Sequence, residues 1–566
     1  MLIKSRPSGK FRPIYCVAIA VLLIFIPTLT AGKEELHDRE KRKGSLTNQP
    51  GNKAVFDLSI RREGIGFGPG KNLVCPTSVD STGGEEFITK KHFWRALLET
   101  SGLLAIFQIK YKKTHTERVE GVHKYYATWK DQKEKIFNWK NWNYDANCFD
   151  LNWQHALAGG VYYNFSRSNN LNVLESFLMS WASSSYWEFV VEYRSDVSIN
   201  DHIFTPLGGL SVGEAWYQLG KFFAGRSDAL SQVLSFLNPI LKLNTFLDRK
   251  KTRDFQSDPQ PGWHEFTIDL GFRNLRIKKD DYSHTTPYAG IQTQIMHIPE
   301  YGHPGSDNRL VKQPLFSEIQ MNMTGLGRSA EEYNLFSRVV LFGYFRQNID
   351  SLNRGYSLYL GGASAFSMFK KKTGTTNFPC SFKGRNPDAL KLDEPRDFAD
   401  KLATVHIIGP VFDWTRFGKN FRIRLVMDMY ADFGIVNSFA FNAYSRQFDF
   451  SGVKTPLLVN GYYYGWGTSL SSRLDISWRN VNLQTYLKYQ SYGSIEGKDR
   501  FQPLVTDDFH LADSRFLSRL TFGYRISGLP LMLKAVWEGI YRRGRIEDLD
   551  EKTWEVRGFL GLALVF

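Results

Sequence analysis

The sequence predicts a mixed architecture: an antiparallel transmembrane β-barrel of about twelve strands, preceded by an α-helical module that plugs or caps it. Three observations carry that expectation. The chain ends on WEVRGFLGLALVF, which alternates with period two and closes on an aromatic residue. From about Trp263 onward it breaks into strand-like runs separated by connections that alternate short and long. No apolar stretch after the N-terminus is long enough for a spanning helix, yet aromatics make up 15% of the residues, as a barrel with polar interior and aromatic girdles requires.

The elements follow in chain order. Residues 1–31 read as a secretory signal peptide: Lys4, Arg6, Lys10 and Arg12 precede the apolar run Ile14–Ile26, and PTLTAG offers a cleavage site at Ala31 or Gly32. Residues 32–90 are polar, with the basic run REKRKG and the Gly-rich GIGFGPG, and read as a largely irregular periplasmic segment. GIGFGPG lacks the Lys-Ser/Thr of a phosphate-binding loop. Cys75, Cys148 and Cys380 outlast signal removal, an odd number at wide spacing and no disulfide framework. Without CxxC or HExxH, no metal site and no cofactor is implied. The net charge of +15 suits anionic lipid headgroups and lipopolysaccharide, and nothing indicates nucleic acid.

Residues 91–255 carry apolar spacing of three to four and form the helical module. Within it, WEFVVEYRSDVSINDHIFTPLGGLSVGE sets Glu188, Glu192, Asp201 and Glu214 among large apolar residues. Ser198 to Asp201 fits a capping box, and Thr205-Pro206 fits an N-cap followed by proline at the first helical position. Gly209 and Gly213, four apart, let another helix approach. Glu188 and Glu192 would repel each other on one face unless a cation such as Arg194 or Lys221, or a shared proton, relieved them. The polar cluster of the module is therefore His155, Glu188, Glu192, Asn200, Asp201, Thr205 and Glu214.

Residues 256–566 form the barrel. Runs near 264–275, 287–298, 315–323, 335–348, 354–369, 402–414, 421–434, 460–478, 482–492, 515–527, 531–543 and 553–566 are the strands. In 460–478 the apolar phase holds Leu470 and Leu474 between aromatics at both ends, while Ser469, Ser471, Arg473 and Asp475 hold the other phase. The same phasing puts Arg519, Arg525 and Arg557 in the lumen. Connections at 527–530, 479–481, 415–420 and 350–353 are short and share one parity, but 299–314 is too long for it. That stretch is a periplasmic excursion, or the second and third strands are displaced.

The motif residues then carry a resemblance. His155, the Tyr162-Tyr163 pair, Ser185, Trp187-Glu188, Glu192, Asn200-Asp201, Thr205-Pro206, Gly208-Gly209 and Gly213-Glu214 resemble the pattern of domain-of-unknown-function family 3943, bacterial envelope proteins. The likeness covers roughly 150–220 and departs at Ser195–Val197, where a proline is often found. It implies a helical module attached to an outer-membrane barrel, with no established activity.

Two functions follow as expectations. The first is a structural or transport role for an envelope barrel, its helical acids bonded to lumen Arg and Tyr residues. It would be exported through the inner membrane of a Gram-negative bacterium by a cleaved signal peptide and inserted by the barrel-assembly machinery through the strand ending at Phe566. The alternative is a lipid-modifying outer-membrane hydrolase with His155 as base, Ser185 as nucleophile and Glu188 orienting the imidazole.

Overall fold

A computed structural model describes residues 90–114, 118–119, 122–123, 128–138, 142–144, 151, 153–192, 197–224, 237–248, 263–277, 282–298, 300–325, 332–371, 400–449, 452–453, 455–497 and 508–565. The signal peptide, the polar segment before residue 90, Arg194, the three cysteines and Phe566 lie outside the described residues.

Twelve long strands make the barrel: β1 (Trp263–Ile277), β2 (Tyr282–Met296), β3 (Phe316–Thr324), β4 (Glu332–Ile349), β5 (Gly355–Lys371), β6 (Lys401–Gly418), β7 (Phe421–Asn437), β8 (Tyr462–Trp478), β9 (Val481–Ser494), β10 (Leu511–Arg525), β11 (Leu531–Ile546) and β12 (Leu549–Val565). Each pairs antiparallel with its neighbours, and Glu555–Val565 of β12 pairs with Thr267–Ile277 of β1 to close the ring. Closure pairs the first strand with the last, the two edges that an open sheet crossing lipid could not leave bare. The sequence runs fall on these strands within a few residues.

The long connection at 299–314 is an excursion, and the second and third strands stand where expected. It contains a short strand, Gly305–Val311, paired with Gly343–Ile349 of β4. There β4 runs past the start of β3, whose pairing with it stops at Phe316–Val340. The excursion thus covers an edge that the barrel's stagger would leave open. It also turns Tyr301 into the lumen, where its hydroxyl meets Thr415 Oγ1 at 3.1 Å and its ring packs on Phe345 and Phe417.

Seven helices precede the barrel among the described residues: α1 (Phe93–Thr114), α2 (Trp129–Phe137), α3 (Trp153–Ser168), α4 (Val173–Tyr186), α5 (Ile199–Gly208), α6 (Glu214–Ala224) and α7 (Pro239–Leu247). Two widened π turns, Trp187–Val191 and Gly209–Gly213, extend α4 and join α5 to α6. The expected proline-capped helix start is not formed. Pro206 lies inside α5, which begins at Ile199; a proline ring crowds the preceding turn, and the helix widens just beyond it. Nor does Ser198 cap α5 through its side chain. Its N–H is taken by the Glu188 carboxylate at 3.1 Å.

The module does not plug the lumen. Along β8, Ser469, Arg473 and Asp475 face inward, while Leu470 and Trp466 are exposed on the outer wall. Phe433 pairs opposite Trp466 and Ile435 opposite Tyr464, so all four belong to the outer face. Phe433, Ile435 and Tyr464 are nonetheless buried, because Leu151, Ala156, Phe204 and Val212 of the module pack on them. Tyr163, Leu210 and Ala215 similarly cover Val339, Leu341 and Ile319, and Phe222 and Phe223 cover Ile295 and Phe266. An apolar helix surface matches a wall built to meet lipid. A lumen filled by paired charges has no room for a rod about 10 Å across.

Candidate functional site

The polar residues of the module form two clusters. Glu214 opens α6 fully buried. Arg167 of α3 grips it with Nε to Oε2 at 2.7 Å and Nη2 to Oε1 at 3.2 Å. The Tyr163 hydroxyl donates at 2.7 Å and Gln218 Nε2 at 2.6 Å. Such a carboxylate is satisfied on both oxygens, and a buried charge held this way orders three helix turns. Glycines make the approach possible: a Cβ on Gly213 would lie 2.9 Å from that of Tyr163.

The second cluster lies at the π turn. Glu188 is buried, and burial first, then nearby Asp201 and Glu192, push its carboxyl well above the usual range, with Lys135 opposing them. Lys135 reaches from α2 to the backbone carbonyls of Glu188 and Glu192, so the compensating cation comes from a helix outside the motif. Trp187 Nε1 donates to Glu192 at 3.2 Å. His155 Nε2 stands 3.4 Å from Asp201 Oδ1. Asn200 donates to the Tyr464 hydroxyl on β8, and Thr205 lends its carbonyl to Ser180 at 3.4 Å.

His155 and Ser185 form no nucleophile–base pair. Ser185 donates its hydroxyl to the Trp181 carbonyl at 3.0 Å, as serines inside helices commonly do, and His155 turns to Asp201. Glu188 holds a backbone N–H rather than an imidazole. Neither do the module's acids reach the lumen arginines, which have partners of their own.

In the lumen, Arg473 pairs with Glu318 at 2.9 Å, and Asp475 accepts from Gln484 at 2.7 Å. Arg519 pairs with Glu538 at 2.7 Å. Arg557 reaches Glu332, Glu538 and Glu555 at 3.0, 3.3 and 2.9 Å. Arg525 sits at the rim of the turn end, 3.8 Å from Glu265. These pairs cross from strand to strand and leave small cavities of about 110, 60 and 90 Å³. The first two share Gln320 and Arg557, and the last two share Thr521 and Lys534. The string runs toward Glu265 and Arg525. At the loop end, the short helices α8 (Phe441–Tyr444) and α9 (Thr455–Asn460) seat Phe441, Leu457 and Leu458 on lumen-facing Leu402, Tyr463 and Leu511.

One further lumen cluster was missed by sequence reading. His406 on β6 is buried, with Nδ1 2.6 Å from Asp432 Oδ1 on β7 and Nε2 3.0 Å from Ser367 Oγ on β5. Ser469 Oγ lies 3.1 Å from Nδ1. The strand phase could have found it, since Ser367, His406 and Asp432 occupy the lumen phase of three consecutive strands.

A closed antiparallel ring of this kind, its outer face apolar and its lumen charged, is an outer-membrane β-barrel, the fold of Gram-negative outer-membrane proteins. Residues 141–240 match the family described as Domain of unknown function (DUF3943), and the chain carries that domain ahead of its barrel. Among solved structures it is similar to the translocator domain of autotransporter NalP from Neisseria meningitidis, at 7% identity over 57% of this chain and 95% of that one, TM-score 0.19. It is also similar to a Pseudomonas aeruginosa FadL homologue (6%, 54% and 89%, TM-score 0.18) and to a loop-deleted OmpT, an outer membrane protein of Vibrio cholerae (7%, 54% and 99%, TM-score 0.19). Scores this low carry no argument; the barrel rests on its own strand register. No curated protein matches the chain.

Proposed function

We propose that this protein is a structural component of the outer membrane: a non-conducting barrel that holds its helical module against its own lipid-facing wall. One observation carries this reading. The module buries outward-facing Phe433, Ile435 and Tyr464, while the lumen is spanned by its own ion pairs. The outer surface of the module is itself apolar, with Leu174, Leu178 and Trp181 on α4 and Leu243, Phe246 and Leu247 on α7 exposed, as helices displacing lipid require. Export by the N-terminal signal, recognition of the strand ending at Phe566 by the assembly machinery, and contact with lipopolysaccharide belong to the same proposal.

Planar bilayers test it. The full chain should insert without steady current, and an ohmic conductance of porin size would overturn the reading.

A further inference from the structure

The Ser367–His406–Asp432 relay has the geometry of an activated nucleophile. Asp432 is an acceptor when ionised, so the proton between it and His406 sits on Nδ1. That leaves Nε2 of the neutral ring as an acceptor for the Ser367 hydroxyl at 3.0 Å. The three residues come from neighbouring strands in fixed register, His406 directly opposite Asp432. β6 is irregular between His406 and Val411, a distortion that re-aims side chains near active sites. Ser364 donates to the His406 carbonyl at 2.9 Å and pins that turn. Tyr492 steadies the outer oxygen of Asp432 at 3.3 Å.

Ser367 lines the 110 Å³ cavity, whose walls carry Arg338, Arg473, Lys488, Arg515, Arg519 and Arg557 against Glu318, Asp428 and Glu538. Arg473, Arg515 and Arg557 are also paired, with Asp475, Asp400, and Glu332 and Glu555 respectively, so the uncompensated charge facing the cavity is that of Lys488. Lys488 makes no ion pair among the described residues; its contact is with the Phe336 ring, 5.8 Å from the centroid. Low-dielectric walls strengthen such a field on an anion or a developing oxyanion. The neighbouring cavities lead to Glu265 and Arg525, which are part-exposed at the turn end.

We propose that Ser367 and His406 are catalytic residues of an acyl-transfer site in the lumen, with Asp432 as the positioning residue and a small anionic carboxylic ester as the substrate class. Ser367 Oγ bonds to the ester carbonyl carbon as His406 Nε2 takes its proton. Collapse of the adduct breaks the carbon–oxygen bond, and the imidazolium returns that proton to the leaving alkoxide, releasing the alcohol. Water, deprotonated by His406, then cleaves the acyl-serine and frees the carboxylic acid and Ser367. This goes beyond the structural reading and fails separately from it, since conductance tests that one and adduct formation this one.

The test is a fluorophosphonate probe on the refolded full chain in detergent, followed by peptide mass spectrometry. The expected result is one adduct, on Ser367, absent in Ser367→Ala. His406→Gln should slow labelling at least a hundredfold while heat-modifiable migration of the barrel is kept. Asp432→Asn should slow labelling, since the carboxylate that holds the imidazole in place is gone, and Asp432→Glu should restore part of the rate. p-Nitrophenyl hemisuccinate should be cleaved faster than p-nitrophenyl acetate. A folded wild-type chain that stays unlabelled, or an adduct on Ser469, overturns the site. Wild-type labelling in Asp432→Asn, or no recovery in Asp432→Glu, overturns the role of Asp432.

Discussion

Asn200, in the first turn of α5, donates its side-chain N–H to the Tyr464 hydroxyl on the outer wall of β8 at 2.7 Å. The bond joins residues 264 positions apart and fixes the module at a height on the barrel that apolar packing alone would leave slippery. A buried hydrogen bond of this kind contributes about 1 kcal/mol. Tyr464→Phe keeps the ring and removes the hydroxyl, so amide exchange in α5 should quicken several-fold while the barrel's heat-modifiable migration is unchanged. Wild-type exchange rates in that variant would show that the bond contributes nothing.

Neighbouring glycines in α3 should respond in opposite ways. A Cβ on Gly159 would stand 1.8 Å from the Thr205 carbonyl oxygen, whereas one on Gly160 would meet Gly213 and Val212 at ordinary contact of 3.6 Å. Gly160→Ala should gain up to about 1 kcal/mol of helix propensity. Gly159→Ala must push α3 off α5, at about 1–3 kcal/mol or more. Thermal unfolding of the module, followed by proteolysis, should rank the three proteins Gly160→Ala, wild type, Gly159→Ala.

The barrel was legible because each strand writes its own two faces: Leu470 against Arg473 fixes inside and outside without any partner. The short turns then set the direction of each hairpin. The docking of the module was not legible, because Phe204 and Phe222 are apolar whether they face a core, a lumen or a wall. Phe433 and Tyr464 read as lipid-facing for the same reason. Lys135 lies outside the motif, so the cation opposing Glu188 could not be named in advance. His155 drew attention because motif residues surround it, whereas His406 stands alone in sequence and finds Ser367 and Asp432 only through strand register.

Glu188 makes the module sensitive to pH. Burial, then Asp201 and Glu192, raise its carboxyl in the folded protein. The folded state therefore binds this proton more tightly than the unfolded chain, whose glutamate titrates near its ordinary value of about 4.3. Its contribution is fully present below that pH and is lost as pH rises through the raised folded value. Glu188→Gln mimics the protonated form and should flatten the profile, leaving the module more resistant to proteolysis than wild type at neutral pH. The acceptor for the Ser198 N–H survives in the amide. A wild-type module whose resistance rises with pH above 5 would contradict this.

Arg557 bridges three carboxylates of the lumen. It joins Glu332, Glu538 and Glu555, which also draw on Arg273, Arg519 and Lys371. Replacing it by Met preserves much of its length and leaves three buried carboxylates short of one cation. Removing one member of a buried charge network costs about 3–5 kcal/mol, most of it the stranded partners. Removing a partner as well, in Arg557→Met with Glu332→Gln, should restore part of that loss, because residues in one network do not add independently. Urea unfolding in micelles, read by the migration of folded and unfolded bands, measures both. If Arg557→Met unfolds at the wild-type midpoint, the network contributes no net stability and serves only to fill the lumen.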